Sequence, residues 1–554
     1  MSTRADRRTF LRFAALGGAL ACPGTAHAAP SGTVPDPRAI GDSPRLPTRL
    51  PGFELEELSI NELQARMRSG QETAVSITQK YLNRIEMLDR SGPTLRAVIE
   101  TNPDALAIAA TLDAERKAGR LRGPLHGIPI VVKDNIGTAD RMTTTAGSLA
   151  LEGSRPTGDA PVVARLRHAG AVILAKTNLS EWANFRSSRS TSGWSGRGGL
   201  CRNPYALDRN TSGSSSGTGA GVAANLAAAG VGTETDGSIV SPSNHGSLVG
   251  VKPTVGLLSR TGIIPISHTQ DTAGPMTRTV RDAAILLGAM AGIDPADDAT
   301  KAAAGHLAPD YTAFLDPNGL RGARIGVPRK KLFGYSPWSD RLAEDAIAVM
   351  KQLGAIVIDP ADEHATGDIG DAEMTVLLYE FKAGLNAYLA ALGPGAPVKS
   401  LADAIRFNIT HAAREMPYFG QEIFEEAEKK GPLTEVAYRN ALLHCRRNAR
   451  DLYLDQMLHA HRLDALVMPT DSPPWTTDLV NGDHFLGGSS TPPAVAGYPH
   501  VTVPAGYAFG LPVGVSFVGA AWSEPTLLRL AYAYEQATKH RHAPNFAPTA
   551  ELGG

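Results

Sequence analysis

An α/β chain, folded as a three-layer α/β/α sandwich around a mixed, largely parallel central sheet, is what this sequence predicts. Three observations carry that expectation. Short apolar runs bounded by Gly, Pro or Asn recur along the chain, and such runs are buried strands. Longer amphipathic stretches separate most of them, and strands alternating with helices give a sheet covered on both faces. Of 554 residues, 42% are hydrophobic and 20% charged, which leaves ample apolar material for the core of such a sheet.

Residues 1–28 read as an export leader. Arg7 and Arg8 precede Thr9, Phe10, Leu11 and Arg12, a twin-arginine pattern; a short apolar stretch over 13–21 follows, too short for a permanent anchor. Ala26-His27-Ala28 supplies small residues for cleavage after Ala28. The expectation is therefore a periplasmic or secreted protein. Ala19-Leu20-Ala21-Cys22 resembles a lipoprotein processing site, but with its leucine one place out of register, so lipidation of Cys22 is the lesser alternative. Residues 29–51, rich in Pro, Gly and Ser, read as a linker.

From residue 52 the periodicity becomes regular. A helical stretch is expected over 55–88, with Ser59, Asn61 and Thr73 as caps, and another helix over 104–117. Ile128-Pro129-Ile130-Val131-Val132-Lys133 is a buried strand ending on a lysine. Further strands are expected over 171–175, 324–327, 355–358, 465–468, 500–503 and 513–518, with helices over 281–291, 341–353 and 421–430. No fixed-period repeat or membrane-spanning run interrupts them. Residues 296–461 carry more charge and fewer motifs, which suggests a pocket- or lid-forming region, and 546–554 read as a tail.

Net charge near −1 leaves no basic footprint, so neither a nucleic-acid partner nor a membrane anchor is expected. Oligomeric state has no signature in the sequence. Cleavage after Ala28 leaves Cys201 and Cys445. Two cysteines in so long a chain are not a disulfide framework, and buried free thiols are expected, with a single bridge as the alternative.

The most unusual segment is Asn210-Thr211-Ser212-Gly213-Ser214-Ser215-Ser216-Gly217-Thr218-Gly219-Ala220-Gly221, which runs straight into an Ala-rich stretch ending at Gly230. A flexible linker would not lead into so apolar a sequel. The better reading is a tight loop that presents serines and backbone N–H groups at a buried helix N-terminus, with the Ala-rich stretch as that helix. Next comes Gly232-Thr233-Glu234-Thr235-Asp236-Gly237-Ser238. Its Asp-Gly pair can turn the backbone sharply, so that successive N–H groups converge before Ser238.

Taken with Lys133, these two segments resemble the amidase signature family. The 24-residue spacing from Ser214 to Ser238 is similar to that between the family's two catalytic serines. The resemblance extends through Val249-Gly250-Val251-Lys252-Pro253-Thr254, Asp271-Thr272-Ala273-Gly274-Pro275-Met276 and Gly510-Leu511-Pro512-Val513-Gly514. A length prior of about 150 residues per domain would allow three or four domains. The resemblance instead implies one amidase domain over 52–545, with the amidase-signature fold.

Carried over residue by residue, the resemblance implies Ser238 as nucleophile, Ser214 as proton relay and Lys133 as base, with Gly213–Ser214 a cis peptide. The backbone N–H groups of Thr235, Asp236, Gly237 and Ser238 would form the oxyanion hole. Lys133 must then be neutral at working pH, and burial beside Ile130, Val131, Val132 and Ile136 is the means, because a low dielectric disfavours the ammonium. Glu234 stands where the family usually has Asp, Asp236 where it often has Gly, and Val240 where it often has Arg; Ser212 and Ser216 replace frequent glycines. The Glu-Thr-Asp-Gly-Ser version, with Ser180-Glu181-Trp182-Ala183-Asn184-Phe185-Arg186, is most similar to the bacterial peptide amidase branch, which deamidates peptide C-termini. On that resemblance Asn184 would contact substrate. The expected activity is hydrolysis of peptide C-terminal amides or other small carboxamides through an acyl-enzyme, releasing ammonia.

Three rival readings compete with this one. Gly213-Ser214-Ser215-Ser216-Gly217 also fits G-x-S-x-G, an α/β-hydrolase elbow with Ser215 as nucleophile and a late histidine such as His500 as base. A non-catalytic amide-binding protein would keep the fold without the chemistry. A subunit feeding ammonia to tRNA-bound amide synthesis conflicts with the export leader. His459-Ala460-His461 is the one tight histidine pair, without a third ligand at suitable spacing, so neither a metal nor an organic cofactor is expected.

Overall fold

The computed structural model describes residues 52–362, 369–393 and 395–552. The expected leader (1–28) and linker (29–51) lie outside the described residues. Thirteen strands are present among the described residues: β1 (Val98–Thr101), β2 (Pro129–Lys133), β3 (Val172–Thr177), β4 (Trp194–Ser195), β5 (Gly199–Leu200), β6 (Ala229–Glu234), β7 (Val249–Lys252), β8 (Thr272–Thr277), β9 (Arg324–Gly326), β10 (Ile356–Ile358), β11 (Ala465–Pro469), β12 (His500–Ala508) and β13 (Leu511–Val518). Eleven of them form one sheet in the order β1-β3-β2-β6-β8-β7-β12-β13-β11-β9-β10, while β4 and β5 make a small separate ribbon.

The sheet is mixed, as expected. Its parallel pairs gather in two places, β3-β2-β6 and β11-β9-β10. Antiparallel pairings of β8, β7, β12 and β13 lie between them. Every residue of β2, β3, β6, β7, β8, β11 and β13 is buried. Strands with no exposed face require helices above and below, which is the α/β/α arrangement.

The first helical stretch is two helices, α1 (Ile60–Ser69) and α2 (Ala74–Ile85), each opened by a capping box from Ser59 or Thr73. Asn61, expected as a cap, sits inside α1 instead, because Ser59 already accepts from the Glu62 amide. α3 (Ala105–Lys117) and α4 (Pro161–His168) follow. The larger departure concerns the Ala-rich stretch. α5 covers only Ser216–Ala223; Asn225 then takes φ 59°, and β6 begins at Ala229. Alanine's small side chain serves a crowded strand as well as a helix, and the glycines show how crowded this one is. A Cβ on Gly230 would lie 2.5 Å from Thr218 Cγ2, and one on Gly232 would lie 2.8 Å from the Ser215 hydroxyl. α5 therefore lies directly against β6, which brings the serine loop to the sheet.

Residues 296–461 contribute β9 and β10 at one sheet edge, then a helical layer that includes Gly370–Ala391, Leu401–Thr410 and Glu422–Glu428. Phe381, Leu385 and Phe424 from this layer share an apolar cluster with Trp182, Phe185 and Ile264. Of the expected tail, Phe546 and Ala550 are buried, and Ala547 bridges Ala206. Among the described residues no helix is long and apolar enough to cross a membrane.

Candidate active site

Lys133 is the last residue of β2, fully buried at 0% exposure. Its Nζ donates to Ser214 Oγ at 2.7 Å, to Thr233 Oγ1 at 2.9 Å and to the Thr233 carbonyl at 3.2 Å. β2 and β6 are parallel neighbours, and that pairing sets the lysine beside Thr233. Burial dominates its protonation, pushing the pKa down to about 7, although the Asp271 and Glu234 carboxylates favour the ammonium. Near neutral pH this amine can therefore hold or release a proton.

Ser214 is buried, and its carbonyl accepts the Ser180 amide at 3.1 Å. The Gly213–Ser214 peptide is cis, as the resemblance implied. Ser215 N–H donates to the Ser238 carbonyl at 3.1 Å, which clips the serine loop to the segment carrying Ser238. Ser238 is 7% exposed, and its hydroxyl is not hydrogen-bonded to Ser214. Of the three expected catalytic side chains, lysine and Ser214 are in contact, and Ser238 is held next to them through its backbone.

The turn before Ser238 is shaped by Glu234. Its Oε2 accepts the amides of Ile239 at 2.7 Å and Val240 at 3.0 Å, capping the short helix α6 (Val240–His245). The chain between must bulge outward, and Gly237 takes φ 77°, a left-handed conformation that glycine adopts without a Cβ clash. The amides of Asp236, Gly237 and Ser238 donate to no acceptor within the described residues. Unused N–H groups on one tight turn are the arrangement an oxyanion needs.

Sequence reasoning missed the residues that hold this turn. Thr235 Oγ1 donates to Asp271 Oδ1 at 2.5 Å, and the Gln270 Nε2 donates to the Thr235 carbonyl at 3.3 Å. Thr491 Oγ1 donates to Asp236 Oδ2 at 2.6 Å. Burial raises the carboxyl pKa of Asp236 and of Asp271. Asp271 lies inside a motif quoted for the resemblance, so a buried acid there was a usable signal.

A cavity of about 250 Å³ opens beside these groups, with Asn135, Ala183, Thr233, Thr235, Asp271 and Tyr388 in its wall. Asn184, expected as a substrate contact, is not among the lining residues; its Oδ1 accepts the Ser190 hydroxyl at 2.6 Å. Trp182, Ala183 and Asn184 are consecutive left-handed residues (φ 52°, 55° and 70°), and this curl turns Ala183 toward the cavity wall.

The elbow reading fails on geometry. Ser215 Oγ donates to the Thr233 carbonyl at 3.0 Å and accepts the Thr233 amide at 3.2 Å, so it is tied to the edge of β6. His500 bonds Ser516 at 2.5 Å, and burial pushes its pKa down to about 3. Cys201 and Cys445 are buried free thiols. Among the described residues no group of three or more His, Cys, Asp or Glu side chains is placed to hold a metal ion.

The Amidase family model matches residues 76–528. The chain belongs to the amidase family. Among solved structures, the peptide amidase PAM in complex with the competitive inhibitor chymostatin is 54% identical, covering 89% of this amidase and 100% of that chain, with a TM-score of 0.86. Native peptide amidase from Stenotrophomonas maltophilia is 53% identical over the same shares, with a TM-score of 0.85. An Arabidopsis thaliana protein described as a "Probable amidase" is 43% identical over 503 residues, 89% of this chain and 92% of that one. This amidase is thus a hydrolase acting on amides, and the fold is the amidase-signature α/β fold.

Proposed function

We propose that the enzyme hydrolyses primary carboxamides, peptide C-terminal amides first, through a Ser238–Ser214–Lys133 relay. Neutral Lys133 takes the Ser214 proton as Ser214 takes that of Ser238, and Ser238 Oγ attacks the carbonyl carbon. The resulting oxyanion is received by the backbone amides of Thr235, Asp236, Gly237 and Ser238. On collapse the C–N bond breaks, and the proton held by Lys133 returns through Ser214 to the departing nitrogen, so ammonia leaves and a Ser238 ester remains. Water, deprotonated by the same relay, then cleaves the ester to a carboxylate. The relay requires the Ser238 hydroxyl to turn toward Ser214 as substrate binds. Asn184 is retained as a substrate contact only on the family resemblance.

The observation that carries this reading is a buried amine, poised near neutral pH, 2.7 Å from a serine whose neighbour is bonded to Ser238. The likeness to peptide amidases supports the choice of substrate. Ammonia release from peptide amides and simple carboxamides, compared for wild type and Ser238→Ala, tests it. Release is expected from wild type alone; equal rates would refute the assignment. Twin-arginine export with cleavage after Ala28 belongs to the same proposal. N-terminal sequencing of protein recovered from the periplasm should begin at Ala29, and export unaffected by Arg7→Lys with Arg8→Lys would contradict it.

A further inference from the structure

The oxyanion turn is tied to the helix Gly370–Ala391, which lies far from it in sequence. Gln270 makes the link with a single nitrogen: Nε2 donates to the Thr235 carbonyl at 3.3 Å and to Glu373 Oε1 at 2.8 Å. All three residues are buried; Glu373, the most exposed with Thr235, is at 8%. Asp271 grips the same threonine from its hydroxyl side and is itself fixed by the Ile266 and Ser267 amides at 2.8 and 2.9 Å. Thr235 is thus held at both its carbonyl and its side chain, while the amides that follow it remain unused. Tyr388, on the same helix, lines the cavity beside the turn. The helix that bounds the pocket therefore also reaches the back of the turn.

We infer that Gln270 and Glu373 are positioning residues for the oxyanion turn, acting through the Thr235 carbonyl rather than on substrate. The inference rests on the proposed oxyanion role of this turn. A peptide plane has one orientation: fixing the Thr235 carbonyl fixes the direction of the Asp236 N–H that shares its plane. Pre-orientation of such donors lowers the barrier without changing ground-state affinity. The acceptor on Glu373 matters here, not its charge: burial and the neighbouring Asp236 hold its carboxyl well above the ordinary range, and either a neutral acid or an amide can accept from Gln270.

The test is steady-state kinetics on a peptide amide with Gln270→Leu, Glu373→Leu and Glu373→Gln, together with inhibition by a peptide aldehyde that adds to a serine hydroxyl. Gln270→Leu and Glu373→Leu are expected to lower kcat on the order of 10-fold, the size of one hydrogen bond felt at the transition state. KM should stay within about 2-fold, aldehyde affinity should fall with kcat, and Glu373→Gln should restore wild-type kcat. A kcat within about 2-fold of wild type, a loss confined to KM, or an equal loss in Glu373→Leu and Glu373→Gln would overturn the inference. Should Gln270→Leu not fold, the two Glu373 variants decide alone. Ser238→Ala in the same series separates this outcome from a failure of the nucleophile assignment, since retained turnover there would sink that reading whatever the Gln270 result.

Discussion

Lys133 Nζ and Ser214 Oγ meet at 2.7 Å at the buried end of β2. A charged amine there has lost its water and is compensated by Ser214, Thr233 and two more distant carboxylates. The balance tips toward the neutral form, so a lysine, ordinarily a poor base at neutral pH because it is already protonated, becomes a usable one.

The acid limb of the rate profile should follow from that balance. In the proposed relay turnover needs the neutral amine, so kcat/KM for a peptide amide is expected to rise with pH through about 7, the value to which burial pushes Lys133. A limb near 10 would mean that the lysine titrates as it does in water.

The same burial has a cost for the fold. Lys133 has a lower pKa folded, about 7, than its ordinary value of 10.5. Between these values the unfolded chain binds the extra proton, so the lysine's destabilisation is complete below about pH 7 and fades as pH climbs toward 10.5. Lys133→Met removes it. The variant is expected to be inactive yet more stable than wild type, with an advantage at pH 6 exceeding that at pH 9 by roughly 3 kcal/mol. Denaturant titration at both pH values checks the sign, and a gain that grows with pH would be the wrong one.

Ser215 and His500 should prove structural. Ser215→Ala leaves the Thr233 amide and carbonyl short of a partner and is expected to lower stability by about 1–3 kcal/mol while turnover persists. His500→Gln should likewise keep ammonia release. Loss of activity in both folded variants would revive the elbow reading.

Glu234→Ala removes the acceptor for the buried Ile239 and Val240 amides. Stability should drop by about 1–3 kcal/mol, and kcat should fall with little change in KM because the turn before Ser238 loosens. Glu234→Asp, which keeps a carboxylate, should recover part of the loss in the same assay.

What the sequence disclosed was what is encoded locally. Lys133, Ser214 and Ser238 stood out because each sits in a short, unusual segment, and β2, β11 and β13 because they are dense in branched apolar residues. β8 escaped notice because Thr272–Thr277 contains Gly274 and Pro275, poor strand formers held in place by β6 and β7. Residues 224–230 do not continue the helix, since alanine satisfies helix and crowded strand alike, and only Thr218 and Ser215 packing on Gly230 and Gly232 decides between them. The Gln270–Glu373 bond spans 103 residues, and no local pattern announces it.

A direct titration of Lys133 tests the account most sharply. With lysine side chains ¹⁵N-labelled in the folded Ser238→Ala protein, and the Lys133 signal assigned by its loss in Lys133→Met, the amine is expected to titrate near pH 7. An amine still charged well above pH 9 would contradict the account, because no proton acceptor would then stand behind Ser214.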